Sequence, residues 1–399
     1  MSLSADHPDA PLVVVRPHPL CAETPPAALR PAITPAASVY VRSNFPTPVL
    51  DDAHQVAVRG AVRAPFAIGV NELAAMPQRT VVATVECAGN WRLGMDPVPI
   101  GEPWRYGAVS TAVWTGVPLQ RLLERAGVAA DAVEVLAVGA DTGPRDDAEG
   151  VVTFARALPL PVALHPDTLV VTHMGGAPLT PHHGAPVRLL VPGWYGMANV
   201  KWLAALELRT VPFTGYFQRQ RYVYDTADGV TPVAEARVKS MITSLVDGGR
   251  CEARVIVRGW AWSGAGAITR VELSVNGEAW REAQLGPAMS AYAWTPFELA
   301  LMLPAGVVSL RSRATDAAGD TQPERIEWNR LGYGNNAVRA MTVRVGQRHS
   351  AAPLGQPRWL SPACAAGARP PARPSCWACG SPRDGTSRRS SWAAGRRAP

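Results

Sequence analysis
The stretch VATVECAGNWRLGMDPVPIGEPWRYGAVSTAVWTG, residues 82–116, decides the reading of the chain. An apolar run (Val81, Val82, Val85) predicts a strand, and Cys87 stands at its end, before the turn Ala88-Gly89-Asn90. A thiol closing a buried strand, beside a glycine that permits close backbone approach, suits a metal or cofactor ligand. The same pattern fits a cysteine that only packs as a small hydrophobe, which is the commoner fate of free cysteine. Spacing alone leaves both readings open.

Working outward, ECAGNWR is followed by WRYGAVSTAVWTGV. Three further blocks come later in the chain: PLTPHHGAPVRLLVPGWYGMANVKWL at 178–203, GWAWSGAGAITRVELSVNGEAW at 259–280 and WNRLGYGNNA at 328–337. In this order, over roughly residues 36–345, the chain resembles the sulfite oxidase family, oxidoreductases that carry molybdenum on a pterin cofactor. The resemblance implies an α+β protein: a mixed α/β molybdopterin-binding domain (36–235) followed by an immunoglobulin-like β-sandwich that dimerises (238–346). Residues 1–35 are expected to form an extended arm on the first domain, and 350–399 a disordered basic tail.

Composition agrees with a soluble two-domain protein: 399 residues, 47% hydrophobic and 18% charged. The net charge of +7 points to nucleic acid only until it is located, because residues 350–399 hold eight arginines and one aspartate and therefore carry all of it. Six cysteines are too few for a disulfide framework. The N-terminus shows only a four-residue apolar run and no twin-arginine pair, so the expectation is a cytoplasmic protein. No run approaches the ~18 apolar residues that a spanning helix needs.

The arm is followed by SVYVRSNFPTPVL (38–50), a short strand with Arg42 where it opens. Surface arginine is the ordinary case, but the resemblance places Arg42 in the substrate pocket. Asn44 falls on a cofactor-binding position where many relatives have histidine. A short helix capped by Asn71 is expected before Cys87, and Leu119, Leu122, Leu123 and Ala126 predict a helix stopped by Gly127. Asp141 is read on a loop after an apolar strand. His183, Arg188 and Lys201, the last one of only two lysines in the chain with Lys239, would together suit an anionic pterin phosphate, and all three match cofactor positions of the family. Asp141 matches another. In TGYFQRQRYVYD, register points to Tyr222 as the tyrosine reaching the substrate, with Tyr224 its competitor. Val271, Leu273 and Val275 alternate before Asn276-Gly277, a hairpin signal, and similar strands recur as expected of a β-sandwich.

The resemblance makes Cys87 the molybdenum ligand, its soft thiolate tuning a two-electron couple. Sulfite and sulfate are anions, so Arg42 and Arg92 are assigned to the substrate with Tyr222. Two departures from the family bear on specificity: Trp91 stands where a second basic residue is common, and Leu331 where sulfite-oxidising relatives often have arginine, with Arg330 adjacent. They keep another oxyanion or oxo substrate, nitrate or a sulfoxide, as an alternative. A noncatalytic binding module is the reading from another class. There is no C-x-x-C-H haem site, so electrons are expected to pass to an external acceptor, a cytochrome or oxygen. The tail reads either as a frame-shifted terminus or as a basic arm for an anionic surface or nucleic acid; its Cys376-Trp377-Ala378-Cys379 has no second pair to complete a zinc site.

Overall fold
The computed structural model describes residues 11–227 and 229–346. The first ten residues and the basic tail, with everything expected of it, lie outside the described residues. Strands dominate, and the longest helix, Leu119–Ala126, has eight residues. It buries Leu119, Leu122, Leu123 and Ala126, as their spacing requires, and ends at Gly127, whose φ of 67° brings its N–H to the Leu123 carbonyl at 2.9 Å. The short helix before Cys87 differs from expectation. It spans Val70–Ala75 with Gly69 at the N-cap, so Asn71 lies inside the first turn, and Glu72 reaches back to the Gly69 N–H at 3.5 Å. No helix among the described residues is long and apolar enough to cross a membrane.

The first domain packs two five-stranded sheets. One runs Ala177–Pro178, Leu169–Met174, Val109–Pro118, Arg79–Glu86, with Arg188–Leu190 added to Leu169–Met174. The other runs Phe66–Gly69, Gln55–Gly60, Leu203–Arg209, Glu134–Arg145, Ala148–Pro159; only Leu203–Arg209 and Gln55–Gly60 pair in parallel. Val117 and Leu189 of the first sheet meet Val56, Val58, Leu206 and Leu208 of the second in one core, together with the helix. Apolar alternation on each strand supplies that shared face.

The second domain has two sheets. Lys239–Ile242, Arg254–Trp262, Thr295–Met302 and Gln284–Leu285 form one, and Arg250–Cys251, Ala340–Val345, Gly306–Asp316, Ile268–Val275 and Arg281–Glu282 the other. Val257, Phe297 and Leu301 from one sheet and Val271, Leu273, Leu310 and Val343 from the other share a core, the arrangement of a β-sandwich. Asn276 and Gly277 both have positive φ, 50° and 80°, which is the type I′ turn their sequence demands.

Residues 11–35 touch both domains. Val13–Arg16 and Cys21–Glu23 form a sheet with Val41–Arg42. Further on, the carbonyls of Leu29 and Ala32 accept from the indole N–H groups of Trp260 and Trp294, each at 2.8 Å.

Candidate functional site
Cys87 follows the strand Arg79–Glu86 and is 5% exposed. Its N–H bonds the Ala108 carbonyl at 2.9 Å, and its own carbonyl accepts from Asn90 N–H at 2.8 Å, so the thiol sits on a tight, fully bonded turn. Burial pushes the thiol pKa up, and Arg42 opposes that shift. Among the described residues no three His, Cys, Asp or Glu side chains gather as a metal cluster. A metal at Cys87 therefore needs ligands from outside the chain.

Two cavities meet at Cys87, and Arg42, Asn44 and Tyr222 line both. The first holds Asp141, His183, Arg188 and Lys201, with Trp114 in its wall. Asp141 is not on a loop as its sequence suggested. It sits inside the strand Glu134–Arg145, where the pairing with Ala148–Pro159 slips between Val138 and Thr142, and such a bulge re-aims a side chain.

The buried polar atoms of this cavity are incompletely matched. Arg42 Nη1, Asp141 Oδ1, Arg188 Nε and Trp114 Nε1 are buried and find no hydrogen-bond partner, a condition rare in native proteins. The other donors are engaged: Arg188 gives Nη1 to the His183 carbonyl at 2.9 Å and Nη2 to the Asn199 carbonyl at 3.1 Å, and its guanidinium lies 4.9 Å from the Trp114 ring centre. Lys201 Nζ donates to Ser43 Oγ at 3.0 Å and the His182 carbonyl at 2.8 Å. Burial and Arg188 pull the Lys201 ammonium below its ordinary range, while burial raises the Asp141 carboxyl. Two donors, Arg188 Nε and Trp114 Nε1, and one acceptor, Asp141 Oδ1, are thus left for a polar guest, while Arg42 Nη1 stands where the two cavities meet. A pterin with its phosphate, which offers amino donors and anionic acceptors, fits that set.

His183 departs from its expected role as a charged donor. Its Nδ1 faces Thr180 Oγ at 2.7 Å and its Nε2 the Val39 carbonyl at 3.2 Å, so Nε2 carries the proton and both nitrogens are engaged. Burial, reinforced by Arg188 and Lys201, lowers its pKa to about 4. Without a ligand beside it the ring is neutral at pH 7 and forms part of the cavity wall.

The second cavity, of about 380 Å³, is lined by Arg16, Arg42, Arg92, Arg145 and Arg221 against two acids, Glu102 and Asp146. That excess of cations favours an anion. Arg42 gives Nη2 to Asn44 Oδ1 at 2.8 Å, and Asn44 Nδ2 donates to the Tyr222 hydroxyl at 3.2 Å. Asn44 thus uses both ends of its amide to tie Arg42 and Tyr222 together. Tyr222 stacks on Tyr333 with ring centres 5.2 Å apart. Tyr224 lies beneath the Arg237 guanidinium at 4.3 Å and lines neither cavity, so of the two tyrosines only Tyr222 faces Cys87.

Arg92 is 3% exposed and largely committed: Nε and Nη2 donate to the Leu331 carbonyl at 3.2 and 3.0 Å, and Nη1 to the Glu102 carbonyl at 2.7 Å. Glycines make room for it, since a Cβ on Gly89 would stand 2.5 Å from its Nη2 and one on Gly332 2.8 Å from its Nε. Arg330 does not enter the cavity in place of the family arginine. It pairs with Asp225 at 2.7 Å, its side chain 56% exposed. Trp91 faces a separate small cavity with Tyr106, Lys239 and Trp262.

Sequence reasoning passed over Tyr333, Arg145 and Arg221, although Tyr333 lay within WNRLGYGNNA and Arg221 within FQRQRY. It also passed over Glu86, whose buried carboxylate accepts from Lys239 Nζ at 2.7 Å. The available signal was Lys239 itself, one of two lysines in the chain.

Fold and cavities together define a two-domain molybdopterin-binding protein. Residues 44–217 match the family model of the oxidoreductase molybdopterin binding domain, and residues 230–345 that of the Mo-co oxidoreductase dimerisation domain. The chain is 34% identical to mitochondrial sulfite oxidase of Rattus norvegicus, over 82% of this chain and 64% of that protein. It is 31% identical to sulfite oxidase of Gallus gallus, over 76% and 72%. Among solved structures it superposes on the sulfane dehydrogenase SoxCD from Paracoccus pantotrophus with a TM-score of 0.73 and 28% identity, covering 82% of this chain and 85% of that one. The chain belongs to the sulfite oxidase family. It spans just under two thirds of the length of the rat protein.

Proposed function
We propose that this chain is a molybdenum-pterin oxidoreductase that converts sulfite to sulfate. The observation that carries the reading is the meeting of two unlike cavities at one buried thiol, one with unmatched polar atoms and the other lined by arginines. When bound, the cofactor supplies a two-electron couple and the oxygen exchange between water and substrate. Sulfite and water become sulfate, two protons and two electrons, so an external acceptor is required; a cytochrome or oxygen meets that need.

Cys87 provides the single protein sulfur to the metal. Arg188, Lys201 and Asp141 hold the pterin and its phosphate, with His183 as a neutral wall. Arg42 turns its free, buried Nη1 toward an oxyanion, and Asn44 fixes both Arg42 and Tyr222 in that position. Arg92, pinned by carbonyls, adds positive field without swinging. The second domain makes the chain a homodimer in this reading, in keeping with the family model it matches.

The test is sulfite-dependent reduction of ferricyanide by protein purified from a host that makes the pterin, with Cys87→Ser as control. Activity in the parent and none in the control supports the assignment. A parent fully loaded with molybdenum yet inert toward sulfite refutes the substrate and moves it to another oxyanion.

A further inference from the structure
The strand that leads into Cys87, Arg79–Glu86, is the last in its sheet, and its outer edge is covered by the second domain. Ala83 forms a parallel bridge with Tyr292, Thr84 N–H reaches the Tyr292 carbonyl at 2.9 Å, and Trp294 N–H donates to Thr84 Oγ at 2.8 Å. The turn after Cys87 is held from another side by residues 328–337. There Gly334 N–H bonds the Ala88 carbonyl at 2.8 Å, and Asn335 Nδ2 the Trp91 carbonyl at 3.0 Å.

Between these contacts lies Glu86, the residue before Cys87 and 2% exposed. Its Oε1 accepts from Lys239 Nζ at 2.7 Å and Asn90 Nδ2 at 2.9 Å, and its Oε2 from Trp262 Nε1 at 2.9 Å. Asn90 passes the constraint on, since its Oδ1 accepts from Ala108 N–H at 3.2 Å and its N–H bonds the Cys87 carbonyl. Lys239 and Trp262 belong to the second domain. A buried ion pair is poor evidence of stability in itself, because its desolvation offsets its attraction; what this one does is link the residue before Cys87 to the second domain.

We propose that Lys239 and Trp262 of the second domain, acting through Glu86, position Cys87 and balance the charge of its neighbour in the chain, so that this domain is part of the redox site as well as a dimerisation unit. Glu86 and Lys239 are positioning residues. The proposal rests on Cys87 being the metal ligand for its redox consequence, and on geometry alone for its positional one. An uncompensated charge one residue from the ligand acts on the couple through a dry interior that screens it weakly.

The experiment is a double-mutant cycle in the full chain: Glu86→Gln, Lys239→Met and the two combined. In holoenzyme, the molybdenum midpoint potential is read by redox titration followed by electron paramagnetic resonance. Lys239→Met, which leaves a lone carboxylate, should move the potential down; Glu86→Gln, which leaves a lone ammonium, should move it up; the double variant should return near the parent. A loss of packing would not produce opposite signs. In cofactor-free protein, alkylation of Cys87 by iodoacetamide, followed by peptide mass spectrometry, should quicken roughly tenfold in Lys239→Met and recover in the double variant, within the usual range of coupling between contacting residues. Potentials of both single variants equal to the parent, or shifted in one direction, overturn the charge role. Parental alkylation in Lys239→Met overturns the positional role. Failure of the ligand assignment shows separately, as a Cys87→Ser protein that keeps its molybdenum and the parent resonance signal.

Discussion

The two cavities at Cys87 are both rich in cations, yet they hold them differently. On the Arg188 side, buried polar atoms of Asp141, Arg188 and Trp114 are left without partners, against Trp104 Nε1 on the other side and Arg42 Nη1 at the junction. On the Arg92 side the arginines are mostly tied down: Arg92 to carbonyls, Arg16 to Glu102 at 2.8 Å and to the Pro19 carbonyl at 3.1 Å, and Arg221 to Asp147 and the Tyr216 hydroxyl. A cofactor that stays needs partners that only it completes. A substrate that must enter as one anion and leave as another is better met by a standing field and few free donors, because donors left unmatched by each departure would carry a desolvation cost.

The largest effect should come where the cavities meet. Cys87→Ser is expected to lower turnover by more than about a hundredfold, beyond what removal of an outer-shell partner costs a metal site, while far-ultraviolet circular dichroism stays that of the parent. Retained turnover would remove Cys87 as the ligand.

The next pair separates the two sides. Arg42→Gln should reduce kcat/KM about ten- to a hundredfold, chiefly through KM, as expected for a lost charge-assisted hydrogen bond. Arg188→Ala should instead reduce the molybdenum content of purified protein and leave the KM of the loaded fraction near that of the parent. If both variants change the same parameter, the division between cavities fails.

A smaller effect concerns pH. His183 is held neutral down to about 4 in the fold, against an ordinary value near 6.5. As pH falls below 6.5 the unfolded chain takes up a proton that the folded chain refuses, so stability is lost progressively and the loss levels off below 4. For the cofactor-free protein this amounts to on the order of 3 kcal/mol. His183→Gln should flatten that limb in urea unfolding series; an unchanged acid limb would mean the ring is charged in the fold after all. Least of all, Arg330→Ala should leave KM unchanged and shift stability by less than about 1 kcal/mol, as befits an exposed pair. A raised KM would bring Arg330 into the cavity.

Much of the candidate site's lining was legible in single motifs because the family pattern and local chemistry coincide there. Cys87, Arg42, Arg188 and Lys201 were each picked out by neighbours within a few residues, and all four line the first cavity. Asp141 lines the same cavity but was read on a loop, since a bulge in a long strand has no sequence mark as plain as Gly or Pro. His183 was read by its charge capacity, which burial removes. Leu331 looked like a missing arginine, yet its carbonyl, a group every residue owns, accepts two hydrogen bonds from Arg92. Glu86 and Lys239 were invisible as a pair because 153 residues separate them.

The amino-acid order alone was enough for structure that is local in the chain. The helix Leu119–Ala126 follows from apolar spacing and a glycine stop, the Asn276-Gly277 turn from positive φ, and the thiol at a strand end from an apolar run meeting Ala88-Gly89-Asn90. Which arginines stay free and which are pinned, the neutrality of His183 and the covering of the Cys87 strand by another domain were decided only in three dimensions. Burial and long-range pairing set those properties, and both depend on contacts between segments far apart in the chain.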